Sequence, residues 1–193
     1  MKEFCKGKHV LTHKMKLSSD FVDVILKDYI GDLDSNPFEY GSVVGDGTAA
    51  LRRKEARNCE ILWLDNTSML ASMMWYHISA LNKQYYNYDI DFFEKLQLTS
   101  YGPGEHYKWH VDSFENQSPV ERKLTFSLQL SDEKEYEGGD FQVMSPGYDH
   151  IMTADKERGS LIVFDSRLTH RALKVRKGRR ICLVGWATGP AWR

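Results

Sequence analysis

Residues 124–130, LTFSLQL, decide the fold class of this chain. Their apolar side chains alternate with Thr125, Ser127 and Gln129, and this period of two is typical of a β-strand with one packed and one polar face. A barrel that holds a ligand needs polar residues on its inner face, whereas a purely structural interior is filled with Leu and Val. The stretch therefore predicts a β-rich fold in which a polar strand face borders a cavity.

Similar short strands, separated by turns, follow one another from about residue 91 onward. The predicted strands are residues 95–101, 107–111, 124–130, 140–144, 160–165 and 180–186. Gly102-Pro103-Gly104, Gly138-Gly139 and Pro146-Gly147 supply turns, because glycine tolerates unusual backbone angles and proline fixes φ. This rhythm predicts an antiparallel sandwich or jelly roll over about residues 91–190.

The preceding part of the chain predicts two helices that support this core. One begins at Ser18-Ser19-Asp20 and ends before Gly31, and the other is capped by Asn66-Thr67-Ser68. The second helix has one face formed by Leu70, Met74, His77, Leu81 and Tyr85. Residues 60–64 are a strand candidate, and residues 32–46 predict a loop. We expect one domain over residues 1–193, mainly β within the α+β class, with helical support over about residues 15–90.

Composition limits the classes of function. The 193 residues carry a formal net charge of -1 with mixed signs along the chain, which does not indicate nucleic acid as an obligatory partner. Three widely spaced cysteines form no disulfide pattern and suit a reducing cytosol. No stretch reaches membrane-spanning length, and the first residues lack the apolar core of a signal peptide. We therefore expect a cytoplasmic protein without a membrane partner.

Three residues indicate a metal centre. His110 and Asp112 are two residues apart, so on a strand their side chains leave the same face. His170 lies far enough along the chain to reach the same place from a facing strand. Two imidazoles and one carboxylate hold non-haem Fe(II) while leaving positions open for an oxidant and a co-substrate. His106 is a rival ligand, but Gly102-Pro103-Gly104 argues against a helix there and predicts a loop histidine.

Five motifs in this order resemble the Fe(II)/2-oxoglutarate dioxygenases of the prolyl 4-hydroxylase type. They are YGPG at residues 101–104, WHVD at 109–112, YEGGDF at 136–141, RGSLIVF at 158–164 and the strand at 180–186. The resemblance covers about half of the chain. It implies a double-stranded β-helix, or jelly roll, with Fe(II) held by His110, Asp112 and His170. It also implies 2-oxoglutarate as co-substrate and O₂ as oxidant, with ascorbate as a candidate reductant.

The resemblance further implies which residues bind 2-oxoglutarate. In the family a basic residue about ten positions after the second histidine binds the distal carboxylate, and Arg179 and Arg180 both lie there. In the family this basic residue shares the pocket face with the tryptophan at the position of Trp186. Strand alternation places Arg180 on the same face as Trp186, so we expect Arg180 to be the anchor. Its planar guanidinium suits a carboxylate. Tyr101 matches a tyrosine beside the co-substrate.

Either Thr125 or Gln129 is expected to add a hydrogen bond to the co-substrate, although Gln129 departs from relatives that have tyrosine at this position. Arg122 and Trp186 match residues that contact the peptide near its target proline, and Arg171 is a weaker candidate. These matches favour a prolyl hydroxylase of the procollagen-proline type, acting on a proline-containing peptide or protein. Two alternatives are a 2-oxoglutarate oxygenase acting on a free amino acid, another side chain or a nucleobase, and a non-catalytic metal-binding jelly roll.

Overall fold

Short antiparallel strands dominate the secondary structure. The computed structural model describes residues 10–14, 19–30, 38–41, 43–44, 50–51, 54–113, 119–146 and 150–192. The strands in these residues are β1 (Val10–Lys14), β2 (Glu39–Tyr40), β3 (Val43–Val44), β4 (Ala50–Leu51), β5 (Arg57–Asn58), β6 (Glu60–Leu64), β7 (Phe92–Phe93), β8 (Leu96–Tyr101), β9 (His106–His110), β10 (Val120–Gln129), β11 (Tyr136–Gly138), β12 (Phe141–Met144), β13 (Ile151–Thr153), β14 (Ser160–Asp165), β15 (His170–Ala172), β16 (Val175–Gly178) and β17 (Arg180–Pro190). The helices are α1 (Ser19–Ile30) and α2 (Met69–Leu81), and α2 continues into a π-helical turn, Asn82–Tyr86.

Two sheets form the body of the molecule. The major sheet has the order β1-β14-β10-β17-β8-β6-β2, with β7 also paired to β17, and the minor sheet has the order β13-β12-β15-β9-β5. The pairings within both sheets are antiparallel. Two further pairs, β11 with β16 and β3 with β4, lie outside these sheets. This arrangement confirms the prediction of a mainly β double-stranded β-helix.

The main hydrophobic core lies between the major sheet and the two helices. Leu124, Phe126 and Leu128 of β10 are fully buried in it, together with Val22 of α1 and Met74 of α2. Full burial of each such side chain contributes roughly 1.5–3 kcal/mol of transfer free energy. The alternating polar residues of β10 consequently point to the other side of the sheet, as the LTFSLQL pattern predicts.

Helix α2 begins as predicted but packs on a slightly different face. Ser68 is its N-cap, and the Ser68 hydroxyl accepts a hydrogen bond from the backbone N–H of Ala71. The buried residues of α2 are Leu70, Ala71, Met74 and Ile78. The predicted face was wrong at His77 and Tyr85, which are only partly buried. The buried face of α2 therefore includes Ile78 in place of the predicted neighbour His77.

Several strand boundaries differ from the sequence prediction. β10 begins at Val120 and β17 extends to Pro190, so the two central strands are longer than predicted. β1 and β6 join the major sheet and β5 joins the minor sheet, so strands that precede residue 91 also build the jelly roll. The short strands β11, β15 and β16 were missed because segments of three or four residues show little alternation.

The predicted loop over residues 32–46 contains the short strands β2 and β3. The rest of this loop lies mostly outside the described residues, as do residues 114–118. None of the helices in the described part of the chain is long and apolar enough to cross a membrane.

Candidate metal centre and its cavity

The three predicted ligands meet on the minor sheet. His110 is the last residue of β9 and His170 is the first of β15, and the two are cross-strand partners. Asp112 follows β9 by two residues, and its backbone N–H donates to the carbonyl of Ser166 at 2.9 Å. One ligand atom of each residue lies within 4.8 Å of the others. The structure therefore brings the three side chains together, although Asp112 lies beyond the strand and not on it.

Both histidines are oriented by the same kind of hydrogen bond. Nδ1 of His110 lies 2.8 Å from the carbonyl oxygen of Lys108, and Nδ1 of His170 lies 2.9 Å from that of Leu168. Because a carbonyl only accepts, each Nδ1 is the hydrogen-bond donor, and each Nε2 is turned toward Asp112. These Nε2 atoms lie 3.7 Å and 3.2 Å from the carboxylate of Asp112. Three electron-rich groups this close suit a divalent cation between them.

The carboxylate of Asp112 is itself held in place. Oγ1 of Thr125 donates to Oδ2 of Asp112 at 2.8 Å, and it also lies 3.0 Å from Oγ of Ser166. Burial alone would raise the pKa of Asp112, but electrostatic interactions with His170 and His110 and a hydrogen bond to His170 outweigh burial and hold the pKa below its ordinary value. Asp112 therefore remains an ionised ligand.

His110 has a strongly lowered pKa. Burial disfavours the charged imidazolium, the neighbouring His170 acts in the same direction, and together they lower the pKa to about 3 despite the opposing charge of Asp112. The imidazole is consequently neutral near pH 7. A neutral imidazole is the form that binds a metal ion.

The ligands border a cavity of about 400 Å³ between the two sheets. Thr125 and Ser127 of β10 line it from the major sheet, as the LTFSLQL pattern predicts. Six of the other lining residues are aromatic. The aromatic lining residues are Trp63, Tyr101, Tyr107, Trp109, Phe141 and Trp186. The cavity therefore combines a metal-ligating wall with apolar surfaces that can exclude water from a bound substrate.

Arg180 lies buried beside this cavity. The side chain is 4% exposed, and its Nε donates to Oε1 of Gln129 at 3.1 Å. Its Cζ is 5.6 Å from the ring centre of Tyr101 and 5.9 Å from that of Phe141, both of which line the cavity. Within the described parts of the chain, no carboxylate forms an ion pair with Arg180. A buried guanidinium of this kind suits an anionic ligand.

The neighbouring residues explain why Arg180, and not Arg179, faces inward. Arg179 lies on the other side of the strand, where its Nη1 donates to Oε2 of Glu60 and to Oγ of Ser100, each at 2.7 Å. Gly139 has a positive φ of 64°, and a Cβ atom there would come within 3.3 Å of Cδ of Arg180 and 2.9 Å of Cγ2 of Val175. This glycine therefore both forms a turn and leaves room for the arginine.

The two other predicted co-substrate residues differ in position. Tyr101 is the cross-strand partner of Arg180 and lines the cavity, and its hydroxyl has no hydrogen bond to another described residue. Gln129 is not part of the cavity lining. Its amide donates to the hydroxyl of Tyr136 and to the carbonyl of Ser131, each at 3.2 Å, while its oxygen accepts from Arg180. Gln129 thus supports Arg180 from outside the cavity.

The predicted substrate residues, Arg122 and Trp186, lie together on the cavity wall. Cζ of Arg122 is 4.0 Å from the ring centre of Trp186, whose ring in turn lies 6.2 Å from that of Trp63. Arg122 also makes a two-pronged ion pair with Glu94, from Nε at 2.8 Å and from Nη2 at 2.7 Å. This pair fixes the orientation of the guanidinium and leaves Nη1 for another acceptor.

Sequence reasoning missed Arg57, Tyr107 and Trp109 as lining residues. Strand alternation placed Tyr107 and Trp109 opposite the metal ligands, and no strand was predicted at Arg57. His106 was predicted in a loop, but it is the first residue of β9; its ring nitrogens contact backbone carbonyls, and it is not part of the metal-ligand group.

The weaker candidate Arg171 stacks on Trp109, with its Cζ 4.2 Å from the ring centre. Trp109 lines the cavity, so Arg171 lies next to the cavity wall.

A jelly roll that presents two histidines and one carboxylate beside a buried arginine defines the class of non-haem Fe(II) oxygenases that use an acidic co-substrate. Comparison with known proteins points to a similar superfamily. Residues 96–188 match the 2OG-Fe(II) oxygenase superfamily. These residues, just under half of the chain, are similar to that superfamily.

Individual relatives and solved structures show the same similarity. A PKHD-type hydroxylase of Parvibaculum lavamentivorans is 35% identical over 95 residues, which cover 49% of this chain and 42% of the relative. The matched region thus spans less than half the length of that curated relative. A Pseudomonas putida prolyl-4-hydroxylase has the same fold, with a TM-score of 0.72 at 19% identity over 94% of this chain and 93% of the other. A Trichoplax adhaerens prolyl hydroxylase in complex with a hypoxia inducible factor peptide gives a TM-score of 0.76 at 20% identity, over 93% and 83%.

Proposed function

We propose that this protein is a Fe(II)- and 2-oxoglutarate-dependent dioxygenase that hydroxylates a prolyl residue in a peptide or protein. The observation that carries the proposal is the convergence of His110, Asp112 and His170 on a cavity beside Arg180. Three ligands leave coordination positions open, and a buried guanidinium without a protein carboxylate fits one end of a dicarboxylic acid. A purely structural metal site would need neither feature.

The chain's own residues account for the binding steps. Arg180 pairs with the distal carboxylate of 2-oxoglutarate, and the Tyr101 hydroxyl supplies a second hydrogen bond to the same group. Gln129 keeps the guanidinium in place from behind. Thr125 acts on the carboxylate of Asp112, so we assign it to the metal ligand and not to the co-substrate. With Fe(II), 2-oxoglutarate and O₂ bound, the centre supplies the oxidant for hydroxylation of an unactivated C–H bond, with succinate and CO₂ as the other products.

A prolyl substrate fits the opposite part of the cavity. The pyrrolidine ring is apolar and compact, and Trp186 with Trp63 offers aromatic surface against which it can pack. Nη1 of Arg122 can donate to a peptide carbonyl while Glu94 holds the other two nitrogens. The names of the curated relative and of the two solved structures support a hydroxylase, and the two structures support a prolyl substrate.

The same proposal includes a cytosolic location and ascorbate as an auxiliary reductant. Cys59 and Cys182 are buried and carry free thiols, which suits a reducing compartment. Ascorbate is included in the assay because it keeps iron ferrous between turnovers. We propose no nucleic-acid or membrane partner.

The decisive experiment measures succinate formed by purified protein with Fe(II), 2-oxoglutarate and ascorbate, with and without proline-containing peptides. We expect peptide-stimulated succinate and a peptide that gains one oxygen atom on proline, as located by mass spectrometry. The Asp112→Asn variant should form neither product. Succinate that no prolyl peptide stimulates would refute the prolyl substrate and retain the oxygenase. Metal binding without any 2-oxoglutarate turnover would instead favour a non-catalytic module.

A further inference from the structure

An irregularity in β9 brings an unexpected side chain to the metal centre. His110 pairs with His170 and Tyr107 pairs with Ala172. The paired positions are thus three residues apart on β9 but only two residues apart on β15, so β9 contains one extra residue. Simple alternation would place Tyr107 and His110 on opposite faces of the sheet. The extra residue of this β-bulge turns Tyr107 to the same side as His110.

Tyr107 lies flat against the imidazole of His110. The two ring centres are 3.5 Å apart, and the ring planes differ by only 13°. Nearly parallel rings at this distance are in van der Waals contact, so the imidazole cannot tilt toward the phenol ring without a clash. The hydrogen bond from Nδ1 to Lys108 fixes the direction of the imidazole, and the stacked ring fixes its plane. Together they determine where Nε2 points.

Arg57 holds Tyr107 in this position. The two residues are cross-strand partners, and Cζ of Arg57 lies 4.8 Å from the centre of the tyrosine ring. The guanidinium also donates to Oε1 of Gln97 at 2.6 Å and to Sγ of Cys59 at 3.1 Å. Gln97 lies on β8 of the major sheet, whereas Arg57 lies on β5 of the minor sheet. The arginine therefore ties the stack to the opposing sheet.

The imidazole of His170 is held in place by other contacts. Its ring is packed against Phe164 and Phe141, with ring centres 4.8 Å and 5.8 Å away, and the histidine is almost completely buried. Both histidines border the cavity, but 16% of the His110 side chain is exposed against 4% for His170. The stacked ring of Tyr107 thus fixes the plane of the His110 imidazole, whereas the rings of Phe164 and Phe141 hold the His170 imidazole in place.

We propose that Tyr107, held by Arg57, is a positioning residue that sets the orientation of His110 for metal binding. This inference rests on the proposed metal centre. Because Tyr107 touches the ligand and not the metal, its contribution should be visible in metal affinity without any substrate. Changes next to metal ligands typically cost about 10- to 100-fold in affinity.

The test uses Co(II) as the probe, because its visible absorption reports ligand geometry. Tyr107→Phe keeps the ring and Tyr107→Leu removes it. The matched control is His106→Leu, which removes a ring from the same strand outside the cavity lining and the metal-ligand group. We expect Co(II) affinity within about 2-fold of wild type for Tyr107→Phe and for His106→Leu. Tyr107→Leu should bind Co(II) about 10- to 100-fold more weakly and with an altered absorption band.

A second pair of variants leaves the tyrosine in place. Arg57→Met should also weaken Co(II) binding, and Arg57→Lys should restore part of it, which keeps the proposal testable if Tyr107→Leu does not fold. Wild-type affinity and spectrum in folded Tyr107→Leu would overturn the inference, as would an equal loss in Tyr107→Phe. Failure of the wild-type protein itself to bind Co(II) would refute the proposed metal centre instead.

Discussion

The hydroxyl group of Thr125 donates to Oδ2 of Asp112 over 2.8 Å, and Ser166 lies 3.0 Å from the same hydroxyl. Thr125 and Ser166 lie on or directly after two neighbouring strands of the major sheet, β10 and β14, whereas Asp112 follows a strand of the minor sheet. Asp112, which follows a strand of the minor sheet, is thus oriented by a side chain of the major sheet.

Replacement of Thr125 should therefore weaken metal binding. Thr125→Val removes the hydroxyl and leaves the buried carboxylate without this donor. We expect about a 10- to 100-fold loss of Co(II) affinity by calorimetric titration. Ser127→Ala, on the same strand face but without a bond to the ligands, should bind as wild type does. Unchanged affinity in Thr125→Val would show that Asp112 needs no such support.

Arg180 should determine the affinity for 2-oxoglutarate without affecting the metal. Arg180→Lys keeps the charge but loses the two-pronged geometry, so we expect the KM for 2-oxoglutarate to rise at least about 10-fold, and more for Arg180→Met. Co(II) affinity measured without 2-oxoglutarate should stay near the wild-type value. Arg179→Gln is the matched control, because that guanidinium binds Glu60 on the outer side. A wild-type KM in Arg180→Met would identify a different anchor.

Arg122 should affect the peptide and not the co-substrate. We expect Arg122→Met to raise the KM for a prolyl peptide on the order of 10-fold, since a charge-assisted hydrogen bond is lost. Peptide-independent succinate formation should not change. Glu94→Gln should give a smaller effect in the same direction, because the guanidinium loses its fixed orientation. If 2-oxoglutarate turnover fell equally with and without peptide, the assignment of Arg122 to the substrate would be wrong.

Removal of one ligand should abolish stabilisation by metal. At a Co(II) concentration about 100 times the dissociation constant, wild-type protein gains roughly 2.7 kcal/mol in free energy of unfolding. Asp112→Asn should show no Co(II)-dependent rise in melting temperature. Asp140→Asn serves as control, since Asp140 pairs with Lys156 and is not one of the three ligands. A wild-type shift in Asp112→Asn would place the metal elsewhere.

The lowered pKa of His110 predicts how stability of the metal-free protein depends on pH. In the unfolded chain the imidazole has a pKa of about 6.5, whereas in the folded protein it is about 3. Between these values the unfolded state binds a proton that the folded state does not. The free energy of unfolding therefore rises with pH across this window, by up to about 1.4 kcal/mol per pH unit from this group.

Urea unfolding of metal-free protein between about pH 4.5 and about pH 6.5 measures this slope, since Asp112 titrates in the unfolded chain only below this range. In His110→Gln the contribution is absent, so its stability should depend less on pH than that of wild type. An equal or steeper rise with pH in His110→Gln would contradict the lowered pKa.

The sequence was sufficient for features that depend on local pattern. Alternation in residues 124–130 indicated both the core face and the cavity face of β10. The same argument chose Arg180 over Arg179, and the structure places the former inside and the latter against Glu60. The spacing of His110 and Asp112 led to the metal-ligand group that the structure brings together.

Features that depend on partners far apart in the chain were not predictable in this way. Nothing local to Tyr107 reveals the β-bulge, because the bulge is a relation between β9 and β15. The pairing of Arg122 with Glu94 likewise depends on how β7 docks against β17. Thr125 was one of two candidates for a hydrogen bond to the co-substrate, because its strand face was predictable but its distance to Asp112 was not.

Strand β17 fixes the distance between the side chains of Arg180 and Trp186. Arg180 and Trp186 are six residues apart on the same face, which corresponds to about 20 Å along an extended strand. Tyr101 faces the first of them and Thr125 the second on the flanking strands. A one-residue insertion between the two would turn one of them toward the helices and misalign the pocket. Under the proposed function, exchange of side chains at the Trp186 end would alter substrate choice, while the backbone of β17 would keep the distance to Arg180 unchanged.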